Sequence, residues 1–226
     1  MKLLRIDKDS HGTILGVWAG VATLIAIVLV FIHLKAVSIP LVVLLVLFAA
    51  FVLWFHRVPD RETPEGDCST VTSVADGKVV IVEKVFEKEY FKAERIQVSV
   101  YMNFFDVHSN FWPMDGTISY YKYHPGYYFL AFLPKASEKN EHSSTVIRNA
   151  DGTEIMFKQI AGTFARRIVC YSEKGGSVER GKQCGIIKFG SRIDMYLPLD
   201  AELKVKIGDL TKACETVIAT VPSRPQ

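Results

Sequence analysis

Three short stretches of the chain carry side chains that could do chemistry. His108 follows a strand-like run, and a histidine at a strand end can act as a general base or as a metal ligand. The pair Gly190-Ser191 interrupts another strand-like run, where glycine permits unusual backbone geometry and a serine beside a base can be a nucleophile. Asp76 lies in the turn Asp76-Gly77. Each stretch alone is also typical of ordinary loops, and no histidine spacing of the zinc-enzyme kind is present, so no metal site is predicted.

The composition divides the chain into two physically different parts. It has 226 residues with 27 basic and 24 acidic side chains, and this near balance argues against a dedicated nucleic-acid binder. Its mean hydropathy is nevertheless positive, +0.18. The cause is local, because the 44 residues from Gly12 to Phe55 contain one charged side chain, Lys35. We therefore expect a membrane segment joined to a water-soluble domain.

The apolar segment predicts a hairpin of two transmembrane helices, at about 13–32 and 36–55, within an anchor of residues 1–56. Each run is long enough to cross the hydrocarbon core, which takes about 20 residues. A cleaved signal peptide fits poorly because a second apolar run follows the first, and a buried soluble hairpin is the remaining alternative. Basic residues flank both ends and place them in the cytoplasm: Lys2, Arg5, Lys8, His56, Arg57 and Arg61.

Residues 57–70 are expected to form a linker, and residues 71–226 a mainly β domain of barrel or sandwich type. Alternation of apolar and polar residues, and short apolar runs between glycine turns, predict its strands. They fall near 79–82, 96–102, 127–133, 144–148, 154–160, 166–171, 186–189, 193–197 and 216–221. No long amphipathic helix is expected after residue 70. Twelve of the 26 aromatic residues lie between 101 and 132, and we expect most of them to fill the core.

The four cysteines have no C-x-x-C spacing, so zinc-ribbon and thioredoxin-like sites have no support. A domain of this size does not need disulfides, and reduced, mostly buried thiols are expected. The cysteines are Cys68, Cys170, Cys184 and Cys214.

Taken in order, the motifs make the chain resemble the phosphatidylserine decarboxylase family, in its short membrane-anchored branch. Any one motif is weak, but five in the right order are specific. They are Val74 to Val80, Phe105 to Asn110, Pro134 to Ser137 with Asn140-Glu141, Gln159 to Gly162 with Ala165 to Val169, and Gly185 to Asp194.

The resemblance implies a proenzyme that cuts itself between Gly190 and Ser191. The products, 1–190 and 191–226, would stay together as a heterodimer. Ser191 would become a pyruvoyl group, the covalent cofactor, which forms a Schiff base with phosphatidylserine and releases CO2 to give phosphatidylethanolamine. The enzyme would be a carboxy-lyase of the inner membrane whose catalytic domain faces the cytoplasm.

The resemblance also assigns roles to Asp76 and His108. Asp76 matches an aspartate that works with a histidine to activate the cleavage serine. Longer members carry a second histidine, assigned to self-cleavage, where this chain has Phe111. We therefore expect His108 to serve cleavage, decarboxylation or both.

Three alternatives stay open at this point. The same chemistry on an ether-linked serine phospholipid would leave the same motifs. A membrane-tethered serine peptidase would carry its nucleophile close to the transmembrane segment, whereas Ser191 lies far downstream. In a non-catalytic membrane-tethered β scaffold, Gly190-Ser191 would be an ordinary turn.

Overall fold

The computed structural model of the chain describes residues 5–129, 139–162, 168–187 and 191–222. It divides into two compact units, Met1–Pro59 and Asp60–Gln226. The predicted strands that reach into 130–133, 166–167 and 188–189 lie partly outside the described residues.

The N-terminal unit is a helical hairpin. Helix α1 spans His11–Phe31 and α2 spans Lys35–Phe55, within two residues of the expected bounds. A short antiparallel ladder joins β1 (Arg5–Ile6) to β2 (Arg57–Val58), so both ends of the hairpin lie side by side. Only 11% of each apolar window is buried inside the structure, whereas the core helix of a soluble protein is mostly buried. Both helices are long and apolar enough to cross a membrane.

The second unit is mainly β, which confirms the predicted fold class. No α-helix of more than one turn occurs in the part of this unit that the structure describes. Its strands are β3 (Thr70–Thr72), β4 (Gly77–Glu87), β5 (Ala93–Met102), β6 (Ser109–Phe111), β7 (Gly116–His124), β8 (His142–Arg148), β9 (Glu154–Ala161), β10 (Ile168–Cys170), β11 (Ser177–Val178), β12 (Gln183–Ile187), β13 (Ser191–Leu197), β14 (Glu202–Leu203), β15 (Leu210–Thr211) and β16 (Val217–Thr220).

An antiparallel sheet of eight strands organises this unit, in the order β11-β7-β8-β9-β13-β5-β4-β15. Two smaller sheets, β10-β12-β6 and β14-β16-β3, complete it. The predicted alternation is clear in β5, where Val98, Val100 and Met102 enter the main core. β13 lies between β5 and β9, and its Ile193 and Met195 enter the same core.

The two faces of the large sheet differ. One face packs on the main core, while the other carries a small apolar cluster of Val146, Met156 and Tyr196. This second face also holds a fully buried ion pair between Arg192 Nε and Asp194 Oδ1, 2.8 Å apart. The sheet curls into a half-barrel around this second face.

The alternation of apolar and polar residues does not predict strand β7, because this strand has tyrosines on both faces. Tyr121 packs on the main core, and Tyr120 packs on the small cluster of the other face. A run with aromatic rings on both sides shows no apolar–polar alternation.

The expectation that the aromatic residues near 101–132 fill the core is wrong. Among those that the structure describes, only Phe111 and Trp112 are buried. The apolar positions of the core are taken instead by aliphatic and methionine side chains of β4, β5, β9 and β13. Six aromatic side chains are exposed: Phe104, Phe105, Tyr123, Tyr127, Tyr128 and Phe129.

Candidate active site

Ser191 opens a central strand of the large sheet. It pairs with Met102 on β5 and with Ala161 on β9. Residues directly opposite each other in antiparallel strands share a face, so the Ser191 side chain faces the main core with these two neighbours. The residue is fully buried, and its hydroxyl has no hydrogen-bond partner in the structure as described. Gly190, the other residue of the predicted cleavage pair, lies outside the described residues.

His108 is buried beside the chain segment that leads to Ser191. Its carbonyl oxygen accepts a hydrogen bond from Ile187 N, at 3.2 Å. Four residue steps separate Ile187 from Ser191, a reach of at most about 15 Å. On the ring, Nδ1 lies 3.0 Å from the carbonyl oxygen of Asp106. Because a carbonyl only accepts, Nδ1 carries the proton, and Nε2 is the basic nitrogen of the neutral ring.

A buried amide network ties the His108 segment to both strands that flank Ser191. Asn110 Nδ2 lies 3.8 Å from Met102 Sδ on β5. Gln159 Nε2 on β9 donates to Asn110 Oδ1 at 2.8 Å, and Ser143 Oγ donates to Gln159 Oε1 at 2.9 Å. Buried polar groups of this kind hold one geometry, because each lost partner leaves another group unsatisfied. The network therefore fixes β6 over the end of the sheet where Ser191 lies.

Asp76 lies at the same end of the sheet, in the turn before β4. Because β5 separates β4 from β13, about two strand spacings, roughly 10 Å, lie between Asp76 and Ser191. Its carboxylate accepts a pair of hydrogen bonds from Arg61, with Nη2 to Oδ2 at 2.7 Å, and a third from Ala213 N at 2.9 Å. The structure thus bonds Asp76 to an arginine and a backbone amide, and no histidine is among its described partners.

The sequence does not predict the position of Arg61. As a basic flank of the hairpin it was expected to set topology, but its side chain is only 11% exposed and is bound to Asp76. Burial alone would lower the pKa of this guanidinium. The hydrogen bonds and charge of Asp76, with the charge of Glu215, outweigh burial and raise the pKa.

Phe111 occupies the position of the second histidine expected in longer relatives. It is buried, and its backbone N donates to Val74 O at 3.0 Å, two residues before Asp76. An apolar ring here cannot exchange a proton with Asp76. Arg61 is the side chain that neutralises this carboxylate instead.

The comparison with known proteins decides the family. The family model for phosphatidylserine decarboxylase matches residues 48–219, a stretch that includes Asp76, His108 and Ser191. The chain belongs to the phosphatidylserine decarboxylase family.

Three similar curated proteins are named phosphatidylserine decarboxylase proenzyme. The protein of Amoebophilus asiaticus is 42% identical over 192 residues, covering 85% of this chain and 85% of its own length. That of Cytophaga hutchinsonii is 44% identical and covers 79% of this chain and 80% of its own. That of Bacteroides thetaiotaomicron is 46% identical and covers 73% of this chain and 72% of its own.

In this chain of the decarboxylase family, the described parts of three motifs lie near one end of the large sheet, whereas Pro134 to Ser137 lie outside the described residues. The predicted residues Asp76, His108 and Ser191 come from three distant parts of the chain and converge there. Asn110 and Gln159 belong to the recognised motifs, but their mutual hydrogen bond appears only once β6 packs against β9.

Proposed function

We propose that this protein is a phosphatidylserine decarboxylase proenzyme that makes phosphatidylethanolamine. The observation that carries the proposal is the Ser191 hydroxyl, which is buried at the start of a central strand and has no hydrogen-bond partner among the residues that the structure describes. A buried unsatisfied hydroxyl costs about 1–3 kcal/mol, and such costs are typical of functional sites. The family match around this residue supports the same conclusion.

Self-cleavage would begin when Ser191 Oγ attacks the carbonyl carbon of residue 190. The amide bond becomes an ester, and the nitrogen of Ser191 becomes an amine. Loss of the Cα proton of Ser191 then expels the carboxylate of residue 190 as a new chain end. The dehydroalanine that remains takes up water and loses ammonia, which leaves a pyruvoyl group on the chain 191–226.

His108 is the candidate base for one or both stages. Its Nδ1 proton is directed to Asp106 O, which orients Nε2 as the proton acceptor. Asp76 would act by fixing the turn before β4 and the charge of Arg61, which holds it through paired hydrogen bonds.

A pyruvoyl group at position 191 fits its surroundings. The methyl of the pyruvoyl group would replace the CH2OH of Ser191, whose hydroxyl makes no hydrogen bond among the described residues, and the keto oxygen would take the place of the backbone nitrogen of Ser191. When present, the group supplies the electron sink for the loss of CO2 from a serine headgroup. The Asn110 and Gln159 amides hold the neighbouring segment in place and exclude bulk water from the buried strand end.

The two apolar helices would hold this site at the bilayer surface where the substrate headgroup lies. We assign residues 1–56 to the membrane anchor, 57–70 to a linker and 71–226 to the catalytic domain. The basic flanks favour a cytoplasmic position for both ends of the hairpin and for the domain. Two spans anchor a protein far more firmly than a single lipid chain does.

The intact masses of the purified protein under denaturing conditions test the proposal. We expect two chains whose masses sum to that of the precursor plus one water minus one ammonia. Simple hydrolysis would add the water alone. Ser191→Ala should remain a single chain, and a single chain from the unaltered protein would contradict the proposal.

A second measurement tests His108. His108→Ala should yield either an uncut chain or a cut but inactive pair. The matched control is His33→Ala, in the turn between the helices, which should be cut and active. Normal decarboxylation of phosphatidylserine by His108→Ala would contradict the assigned role.

A further inference from the structure

A cluster of three potential metal ligands lies on the face of the curled sheet opposite Ser191. Glu89 comes from the turn between β4 and β5, His124 ends β7, and His142 begins β8. One ligand atom from each side chain lies within 4.8 Å of the other two. Two histidines and one carboxylate are the ligand set of many zinc and iron sites.

Neighbouring groups orient these ligands as they do in known metal sites. His142 Nδ1 lies 2.7 Å from Asn140 O, so Nδ1 carries the proton and Nε2 presents a lone pair. Ser144 Oγ and Lys158 Nζ donate to Glu89 Oε2, at 2.9 and 2.8 Å. Glu89 Oε1 lies 2.6 Å from His124 Nε2 and also accepts a hydrogen bond from the Tyr120 hydroxyl, at 3.1 Å.

The charge around the cluster allows a cation to enter. Glu89 forms an ion pair with Lys158, whose Nζ lies 2.8 Å from Glu89 Oε2. An adjoining cavity of about 650 Å³ is lined by Glu83 and Glu87 as well as Glu89, and by Lys88 and Lys158, so three carboxylates face two lysines.

Coordination of a zinc ion by these three side chains requires a small rearrangement. Ligand bonds to zinc of about 2.0–2.2 Å place tetrahedral ligands about 3.4 Å apart, so the His124–Glu89 contact must open by under 1 Å. The two imidazole rings stack with centroids 4.3 Å apart, and one ring must tilt to direct its lone pair at the ion. His124 is the ring able to tilt, because its side chain is 23% exposed and a histidine χ2 torsion is soft.

We propose that Glu89, His124 and His142 bind a divalent transition-metal ion of the Zn²⁺ class. The ion would replace the proton shared by His124 and Glu89. Since β8, β9 and β13 lie between β7 and the β4–β5 pair in the sheet, it would link the two sides of the half-barrel. It would also join the two ends of the connection between β7 and β8. The cavity leaves room for water or another ligand on the ion.

The test is a Co²⁺ titration of the purified full-length protein in detergent, after removal of metals with a chelator. We expect one equivalent of Co²⁺ to bind with visible ligand-field absorption. Added Zn²⁺ should abolish this absorption, and Mg²⁺ should not. No stoichiometric absorption, or displacement by Mg²⁺, would overturn the proposal.

Variants locate the ion. His124→Asn and Glu89→Gln should each weaken Co²⁺ binding at least tenfold. Glu202→Gln, which removes an exposed carboxylate on β14 away from this cavity, should leave binding unchanged. Unchanged binding in the first two variants, or an equal loss in the control, would refute the assignment. Circular dichroism and self-cleavage establish that each variant folds.

The unaltered protein gives an answer that does not depend on any variant. Zn²⁺ should protect His124, whose side chain is 23% exposed, from acylation by diethyl pyrocarbonate, while His33 in the turn between the helices keeps its reactivity. Equal modification of His124 with and without Zn²⁺ would contradict the site.

Discussion

Two glycines give a paired test of how self-cleavage depends on the sheet. Gly77 begins β4 and Gly116 begins β7, each after an aspartate and each with positive φ, +148° and +158°. A Cβ on Gly77 would lie 2.2 Å from Tyr101 O, and one on Gly116 would lie 2.2 Å from Arg148 O. Real Cβ atoms keep at least 3.0 Å from such atoms, so alanine at either position must displace the facing strand by about 0.8 Å.

The two substitutions should cost similar stability. Overpacking and a strained backbone together amount to about 2–5 kcal/mol at each position. Their positions relative to Ser191 differ, however. Tyr101 precedes Met102, the partner of Ser191, whereas Gly116 lies at the far end of a strand three places away in the sheet.

We therefore expect Gly77→Ala to slow self-cleavage about a hundredfold, the effect of a misplacement near 1 Å, and Gly116→Ala to slow it little. Cleavage is followed on denaturing gels after synthesis. Stability is measured by denaturant unfolding in the Ser191→Ala background, where every chain stays intact. The reasoning would be refuted if both substitutions slowed self-cleavage equally. It would also be refuted if Gly77→Ala lost the expected stability but cut itself at the normal rate.

Three further predictions concern other parts of the catalytic unit. Burial raises the pKa of the Cys184 thiol and that of the Cys214 thiol, the latter to about 12. An alkylating reagent should therefore spare both cysteines in the native protein. In the denatured protein all four cysteines should react, as measured by the increase in mass. The pKa of Glu89 is lowered from 4.5 to about 2, so its bond to Lys158 stabilises the fold above that range and is lost as pH falls through it. With a chelator present, the free energy of unfolding of the unaltered protein should therefore exceed that of Glu89→Gln at neutral pH, and this difference should shrink in acid. A difference that stays constant with pH would contradict the ion pair. Phe105 is 72% exposed, and Phe105→Ser should lower activity on vesicles several-fold while sparing a short-chain soluble substrate; an equal loss on both would exclude a bilayer contact.

Local patterns predicted those parts of the fold that depend on local physics. The alternation from Ile96 to Met102 has one buried face, so its period reveals β5. The apolar runs of the hairpin likewise have the length of a membrane span. β7 differs because Tyr120 and Tyr121 find apolar surroundings on opposite faces, which removes the period.

The motifs of the sequence predict candidate site residues but not the contacts between them. His108 and Ser191 stand in recognisable motifs, whereas the partner of Asp76 is an arginine 15 residues earlier that no motif includes. Asn110 and Gln159 are 49 residues apart, and their bond depends on how two sheets pack. The cluster of Glu89, His124 and His142 likewise arises from the curl of the sheet, because no ligand spacing in the sequence resembles a metal motif.

The position of Ser191 at the head of β13 has a consequence for the life of the molecule. Seven residue pairs to β5 and six to β9 form a ladder on each side of this strand. Before the proposed cut, folding is a unimolecular process of one chain. Afterwards unfolding separates two chains, and recovery requires a bimolecular encounter whose yield depends on concentration. At low concentration the mature protein would then persist by the slowness of its unfolding, because chains that have separated seldom meet again.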